Sequence, residues 1–305
     1  AVLANEDVLP PGDYPVTLRV CGPAGTVWEK GTVAHIPAPA AGQDGPLAVP
    51  VFCEEIRLEG PAGTYTFAAQ LERGGAPAGG RLSFFLSDPA DLPRLSQPVT
   101  TWGVDDSVAS WLLARGVSLR PFATAPTTTP EVILVGGLSP TEATEESYLE
   151  LQRRIAGGGV AVFLTPAALR RDEDAVGWLP LAQKGHGYAF NDWLYHKECV
   201  ARRHPIFDGL PAPGILEWDY YGPVLSPFLF EGQEPLTDVA AAAFALGYPT
   251  PGGYASGVQL GAYALGAGQI ILNAFRLLEN INHHPAADRL LLNSIRYAAN
   301  RARRA

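Results

Sequence analysis

The chain has 305 residues, of which 47% are hydrophobic and 17% charged, and its formal net charge is −9. This length leaves room for two folded domains of ordinary size. Basic residues are scattered except for the closing Arg301, Arg303 and Arg304, and no apolar run reaches the roughly 20 residues that cross a bilayer. We therefore expect neither nucleic acid nor a membrane as a partner.

The three cysteines, Cys21, Cys53 and Cys199, have neither metal-site spacing nor the density of a disulfide framework. We interpret them as small buried hydrophobic residues, and a Cys21–Cys53 disulfide stays open as an alternative. The chain begins at Ala1 without a signal peptide and contains no methionine, so we expect a fragment or a processed product. The compartment, cytoplasmic or extracellular, stays open.

Residues 1–92 alternate apolar and polar positions in short runs separated by Gly/Pro turns. This period is typical of half-buried strands, and no helical stretch interrupts it. We predict an antiparallel β-sandwich of the immunoglobulin-like kind. The prolines and aspartates of 87–93 fit neither strand nor helix, so the domain boundary is placed at residue 92.

From residue 93 to 305 the rhythm changes to alternating strands and helices. Apolar runs predict strands, amphipathic runs predict helices, and Gly157-Gly-Gly159 ends one of those helices. The predicted strands are 99–102, 118–123, 131–137, 160–165 and 268–273, and the predicted helices are 105–115, 141–156 and 285–302. This order predicts a flavodoxin-like α/β domain of three layers with a mostly parallel sheet.

Four segments of the second domain carry a family resemblance: 132–137, 154–163, 204–211 and 266–273. They resemble the class I glutamine amidotransferase-like superfamily, in particular the ThuA-like proteins and the flavodoxin-like domains of β-galactosidase-type glycoside hydrolases. The first domain looks like the immunoglobulin-like modules of family 2 glycoside hydrolases, on residues 5–14. The resemblance implies the C-terminal region of a multidomain glycoside hydrolase.

Amidotransferases of this superfamily place a cysteine on the turn after a central strand, and its thiolate needs an adjacent base. Here the strand 160–164 is followed by Thr165, Pro166 and Ala167. We expect Thr165 to act as a cap and expect no glutamine hydrolysis. Neither of the common Gly-rich phosphate-binding motifs occurs after a predicted strand, so no cofactor is implied.

Ligands of open parallel sheets bind at the carboxyl ends of the strands. The residues predicted at those ends are Trp102, Asp105, Asp106, Gly136, Gly137, Ser139, Thr165, Asn273 and Arg276. Asp105 and Asp106 are weak catalytic candidates as an acid/base pair. Two acids at a helix start more often act as caps and dipole partners, and this is the role that we expect.

Aromatic and acidic residues mix in 186–222 in a way that suits sugars, whose C–H faces stack on flat rings while carboxylates accept from the hydroxyls. The predicted carbohydrate-binding residues are Trp193, Tyr195, Glu217, Trp218, Asp219, Tyr220 and Tyr221. Aromatic packing over the sheet edge is the alternative. Glu217 with Asp219, two apart on a strand, is a further weak glycosidase pair.

His283 and His284 precede Pro285, and adjacent histidines rarely share one metal, so we expect helix capping and no metal site.

The leading hypothesis is a non-catalytic accessory region of a glycoside hydrolase. Such a region would brace an upstream catalytic domain, assemble a homo-oligomer or extend the sugar-binding surface. Its partners would be carbohydrate and that catalytic domain. The rivals are a self-contained hydrolase using Asp105, Asp106, Glu217 or His204, and a ThuA-like protein of sugar metabolism.

Overall fold

A computed structural model describes residues 1–5, 9–75, 78–124, 129–139, 141–189, 196–246 and 254–303. The chain forms two compact units, Ala1–Asp88 and Pro89–Ala305. No helix among these residues is both long enough and apolar enough to cross a membrane.

The first unit consists of two antiparallel sheets. Its strands are β1 (Val2–Ala4), β2 (Gly12–Gly22), β3 (Gly25–Ile36), β4 (Ala48–Pro50), β5 (Gly63–Leu71) and β6 (Gly80–Leu86). β1 pairs with β4, and the larger sheet has the order β3-β2-β5-β6. Val16, Leu18 and Ala34 are buried at alternating positions of β2 and β3, as the two-residue period predicts. The immunoglobulin-like assignment stays a prediction.

The three cysteines of the chain are thiols. Cys199 is buried, as expected, but Cys21 is half-buried and Cys53 is exposed. The interpretation of all three as buried hydrophobic residues was therefore wrong for the two in the first unit, and the Cys21–Cys53 disulfide is not formed.

The second unit is an α/β domain built on one mixed sheet. Its strands are β7 (Val99–Trp102), β8 (Leu119–Pro121), β9 (Val132–Val135), β10 (Val160–Phe163), β11 (His186–Ala189), β12 (His196–Ala201), β13 (Gly214–Ile215), β14 (Phe228–Glu231), β15 (Asp238–Leu246), β16 (Tyr254–Leu265) and β17 (Gly268–Asn273). Its helices are α1 (Asp106–Ala114), α2 (Glu145–Ala156), α3 (Trp218–Tyr221) and α4 (Pro285–Ala302).

Five adjacent strands, in the order β17-β10-β9-β7-β8, run parallel. From β7 the chain crosses to β8, and from β9 it crosses to β10, in the opposite direction along the sheet. Because both crossovers are right-handed, the helices within them, α1 and α2, lie on opposite faces of the sheet. Val160 and Val162 accordingly pack with α1 and α4, whereas Ala161 and Phe163 pack with α2. The predicted fold class is confirmed: the first unit has antiparallel sheets, and the second is an α/β domain with parallel core strands between helices.

Beyond β17 the sheet continues antiparallel through β16, β15, β12 and β13, with β14 and β11 joined to the side. The sheet is therefore mixed rather than mostly parallel. Leu265 pairs with Gly268, so only Gly266 and Ala267 lie between β16 and β17. A two-residue connection can join only antiparallel strands, because parallel strands need a crossover of a dozen residues or more.

Two His-Pro pairs begin helical segments. His204 precedes a short turn at Pro205–Phe207, and His284 precedes α4. In each case Nδ1 accepts a hydrogen bond from the backbone N–H two residues later, at 3.2 Å. Proline suits the first helical position because it lacks the N–H that would be unpaired there. The capping role predicted for His284 is confirmed.

These caps require neutral histidines, because a protonated Nδ1 cannot accept a hydrogen bond. Burial lowers the pKa of His284, an effect that Asp288 partly opposes. Since the folded-state pKa lies below the unfolded value of about 6.5, the contribution is complete above that pH and is lost as the pH falls below it.

We predict that His284→Ala lowers the free energy of unfolding by about 1 kcal/mol at pH 7.5, the usual loss on removing a cap. His284→Asn keeps a cap that does not titrate, so its stability should fall less than that of the natural protein between pH 7.5 and 5.5. Urea unfolding at both pH values measures this. An equal pH dependence in the natural protein and the Asn variant would contradict the neutral-cap interpretation.

Candidate functional site

The carboxyl ends of the parallel strands meet at one edge of the second unit, as the topology requires, and the predicted residues follow them there. Trp102 is not presented to solvent: only 5% of it is exposed. Its ring packs between Phe122 and Tyr148, with centroids 4.8 and 4.9 Å away. Trp102 is therefore a core residue and not a ligand contact.

The space between the carboxyl ends of β7 and β9 is filled by backbone. A Cβ atom on Gly136 would lie 2.2 Å from the carbonyl oxygen of Gly103. The Gly136 N–H donates to the Trp102 carbonyl at 2.8 Å, which holds the two strand ends together. Only glycine permits so close an approach of two backbones. The ends of these two strands therefore leave no gap between Gly103 and Gly136.

Ser139 and Thr165 are engaged in local turns. Ser139 donates from both its N–H and its Oγ to Glu142 Oε2, at 2.9 and 2.6 Å, and these bonds lower the pKa of Glu142. Thr165 Oγ1 accepts from the Ala167 N–H at 3.3 Å at the start of a short helical turn. The capping role predicted for Thr165 is confirmed.

Asp105 and Asp106 are exposed at the start of α1. Asp105 occupies the capping position, but its side chain makes no capping hydrogen bond there. The expectation that this carboxylate caps the helix was therefore wrong. Asp106 lies in the first turn, where a negative charge favours the helix dipole.

Asn273 organises the segment that follows β17. Its side chain is buried, donates to the Leu164 and Phe275 carbonyls at 3.0 Å each, and accepts from the Phe275 N–H at 3.1 Å. Farther on, Asn280 Nδ2 donates to the Pro223 carbonyl at 3.0 Å. The residues after α3 are thereby held beside the carboxyl end of β17, where Arg276 is exposed.

Residues Trp218–Tyr221 form the short helix α3 and not a strand. Glu217 precedes the helix and Asp219 lies in its first turn, so the two carboxylates do not share one side as the strand interpretation assumed. Trp218 is 69% exposed, whereas Tyr221 is 1% exposed. The predicted sugar-binding set therefore divides: Glu217, Trp218 and Asp219 face solvent, and Tyr221 belongs to the core.

The Trp218 indole packs against the backbone of Gly222. A Cβ atom on Gly222 would lie 3.2 and 3.3 Å from Cε2 and Cδ2 of Trp218. These two atoms form the bond shared by the two rings of the indole. A group beside the edge of the indole would be nearer to other ring atoms than to these two. Gly222 therefore lies under one face of the indole, and the exposure of the residue comes from the rest of the ring.

His284 connects α3 to α4. Its ring packs edge-on against the Tyr220 ring, with centroids 5.6 Å apart, and it hydrogen-bonds to the Tyr220 backbone. Tyr220 in turn packs at 89° against Tyr221, whose hydroxyl donates to the Pro211 carbonyl at 3.3 Å. The half-buried Tyr220 ring thus lies between the buried Tyr221 and His284 at the start of α4.

Two other predicted sugar-binding residues, Trp193 and Tyr195, lie outside the described residues. Within the described ranges, no group of three or more His, Cys, Asp or Glu is placed to hold a metal ion.

No family model matches the chain, and no curated protein matches it. Among solved structures, the chain is similar to a ThuA-like protein from Bacteroides uniformis ATCC 8492, with a TM-score of 0.40 and 13% identity over 70% of this chain and 94% of that one. It is also similar to a cold-adapted β-galactosidase from Rahnella sp. R3, with a TM-score of 0.38 and 10% identity. That match covers 67% of this chain and 31% of the β-galactosidase, so this chain spans about a third of that enzyme. At such identities the similarity is one of fold only.

We predict that Trp218→Ala changes the free energy of unfolding by less than about 1 kcal/mol, as is usual for exposed side chains. Tyr221→Ala, which empties a buried aromatic site on the same helix, should lower it by about 3–5 kcal/mol. Urea unfolding of both variants measures the difference. A large loss for Trp218→Ala would show that the indole is part of the core.

Proposed function

We propose that the second unit binds carbohydrate through the Trp218 platform, defined as Glu217, Trp218, Asp219 and Tyr220. One observation carries the proposal: the indole is fixed from beneath by Gly222 and is 69% exposed. Sugar rings present flat C–H faces that pack on such a ring. The carboxylates of Glu217 and Asp219, both exposed, would accept hydrogen bonds from the hydroxyl groups.

The platform is suited to binding because it is anchored before the ligand arrives. Tyr221 is buried, His284 holds the Tyr220 backbone, and Gly222 supports the indole. Ordering a flexible side chain on binding costs about 0.5–1.5 kcal/mol, and a ring already held in place avoids most of that cost. Covering the indole also removes a large apolar surface from water.

We further propose that this binding serves an accessory role in a glycoside hydrolase whose catalytic domain is the partner. Supporting this, Thr165 follows β10, the position at which amidotransferases of the superfamily that the sequence resembles carry their nucleophile, and its hydroxyl accepts a capping hydrogen bond. Glu217 and Asp219 do not face one another across a substrate, because residues two apart on a helix diverge. Assembly into a homo-oligomer stays a prediction.

Calorimetric titration of the whole chain with a panel of neutral oligosaccharides tests the platform. At least one of them should bind, and Trp218→Ala should weaken that binding about tenfold or more, the equivalent of about 1.4 kcal/mol. Gly222→Ala should also weaken it, because the added methyl would meet the indole at 3.2 Å and the Trp218 carbonyl at 2.6 Å. Gly137→Ala is the matched control, since nothing lies within 4 Å of its Cβ position.

Binding that is unchanged in both Trp218→Ala and Gly222→Ala would contradict the platform. The accessory role has a separate test on aryl glycosides, on which we expect no turnover above background. Turnover that disappears in Asp105→Asn or Glu217→Gln would contradict that role and favour a self-contained hydrolase.

A further inference from the structure

A cleft of about 340 Å³ lies between α2 and the segment 171–184. Small-molecule sites usually measure about 300–1,000 Å³, so this cleft is large enough for one. α2 follows the carboxyl end of β9, and the segment follows that of β10, so the cleft opens at the same edge of the sheet as the Trp218 platform but on the α2 face. Its walls include Glu145, Gln152, Arg171, Trp178 and Lys184.

Arg171 is held in an unusual position in this cleft. Its guanidinium lies 4.3 Å from the centre of the Trp178 ring. The Tyr148 ring stacks on one face of Trp178, with centroids 4.3 Å apart and an interplanar angle of 6°. The Arg171 guanidinium therefore occupies the opposite face of the indole. Tyr148 itself is buried, so the stack has a rigid base. The backbone of Arg171 is also fixed, by two hydrogen bonds with Asp174 at 2.9 and 3.0 Å.

Within the described residues, the guanidinium donors of Arg171 have no protein partner. Against the parts of the chain that the structure describes, its guanidinium makes no hydrogen bond and no ion pair. Stacking a guanidinium on an aromatic ring leaves its N–H groups pointing outward in the plane. This planar fork matches the two oxygens of a carboxylate, and such bidentate pairs are among the strongest hydrogen bonds in proteins.

Lys184 is brought to the same place by Gly177. Its Nζ donates to the Gly177 carbonyl at 2.5 Å, and a Cβ atom on Gly177 would lie 2.6 Å from Cβ of Arg171. The Lys184 backbone is fixed as well, because its carbonyl accepts from Gln233 Nε2 at 2.8 Å. An ammonium has three donors, so those not used by Gly177 remain for a ligand.

The opposite wall carries Glu145 and Gln152. A carboxylate there disfavours a ligand that is negatively charged throughout, but it accepts hydrogen bonds from hydroxyl groups, and the Gln152 amide both donates and accepts. We propose that this cleft binds a small carboxylate that also carries hydroxyl groups, a sugar acid in chemical class. Arg171 would take the carboxylate in a bidentate pair, Lys184 would add its charge, and Glu145 and Gln152 would hold the hydroxyls.

Calorimetric titration of the whole chain with D-glucuronate tests the site, with D-glucose and inorganic phosphate as the comparison ligands. We expect glucuronate to bind more tightly than either. Arg171→Gln should weaken it about tenfold or more, since the variant loses the charge and the bidentate pair with the carboxylate. Arg171→Lys should also weaken it, because an ammonium keeps the charge and lacks the fork.

Arg170→Gln is the matched control. It removes the same charge from the neighbouring residue, whose guanidinium instead contacts the Asp172 carbonyl and Glu173. Near-ultraviolet circular dichroism checks that each variant keeps the aromatic stack. Glucuronate binding that is absent, that Arg171→Lys retains in full, or that Arg170→Gln reduces equally would overturn the proposal.

Discussion

The buried carboxamide of Asn273 is the interaction on which the carboxyl edge of the second unit's sheet depends. It joins the end of β10, at the Leu164 carbonyl, to the N–H and the carbonyl of Phe275. Every polar atom of the amide is used, which matters because an unpaired polar group costs about 1–3 kcal/mol at a buried position. The chain leaves β17 in a fixed direction, and Asn280 then holds the residues after α3 against it.

The two proposed binding surfaces follow from the sheet topology. The right-handed crossovers run in opposite directions along the sheet, so α1 and α4 lie on one face and α2 lies on the other. The carboxyl edge of the sheet therefore borders two separate surfaces. On the α2 face, rings pack from Phe122 through Trp102 and Tyr148 to Trp178, with the guanidiniums of Arg154 and Arg171 over the two ends. At one end Arg154 is neutralised by Glu131 and Glu150, and at the other Arg171 is not paired within the described residues.

The sequence alone predicts the parallel half of the sheet well, because Val132–Val135 and Val160–Phe163 are apolar at every position and buried on both faces. It does not predict the antiparallel half, whose pairing of β12 with β15 joins residues far apart in the chain. The helix α3 has four residues, which are too few to show a helical period. The sequence around Glu217 and Asp219 is therefore equally compatible with a strand. No sequence pattern points to Arg171, since its proposed role depends on its contact with Trp178 and on Tyr148 of α2, which stacks on Trp178.

The most direct measurement of the central claim, that the Trp218 platform binds carbohydrate, is the indole N–H signal of this residue in ¹H–¹⁵N nuclear magnetic resonance spectra, assigned with Trp218→Phe. During titration with an oligosaccharide the signal of Trp218 should move, because a sugar covers the exposed part of its ring. The signals of Trp102 and Trp111, which are 5% and 6% exposed, should stay in place. A Trp218 signal that does not move while calorimetry records saturable binding would contradict the account.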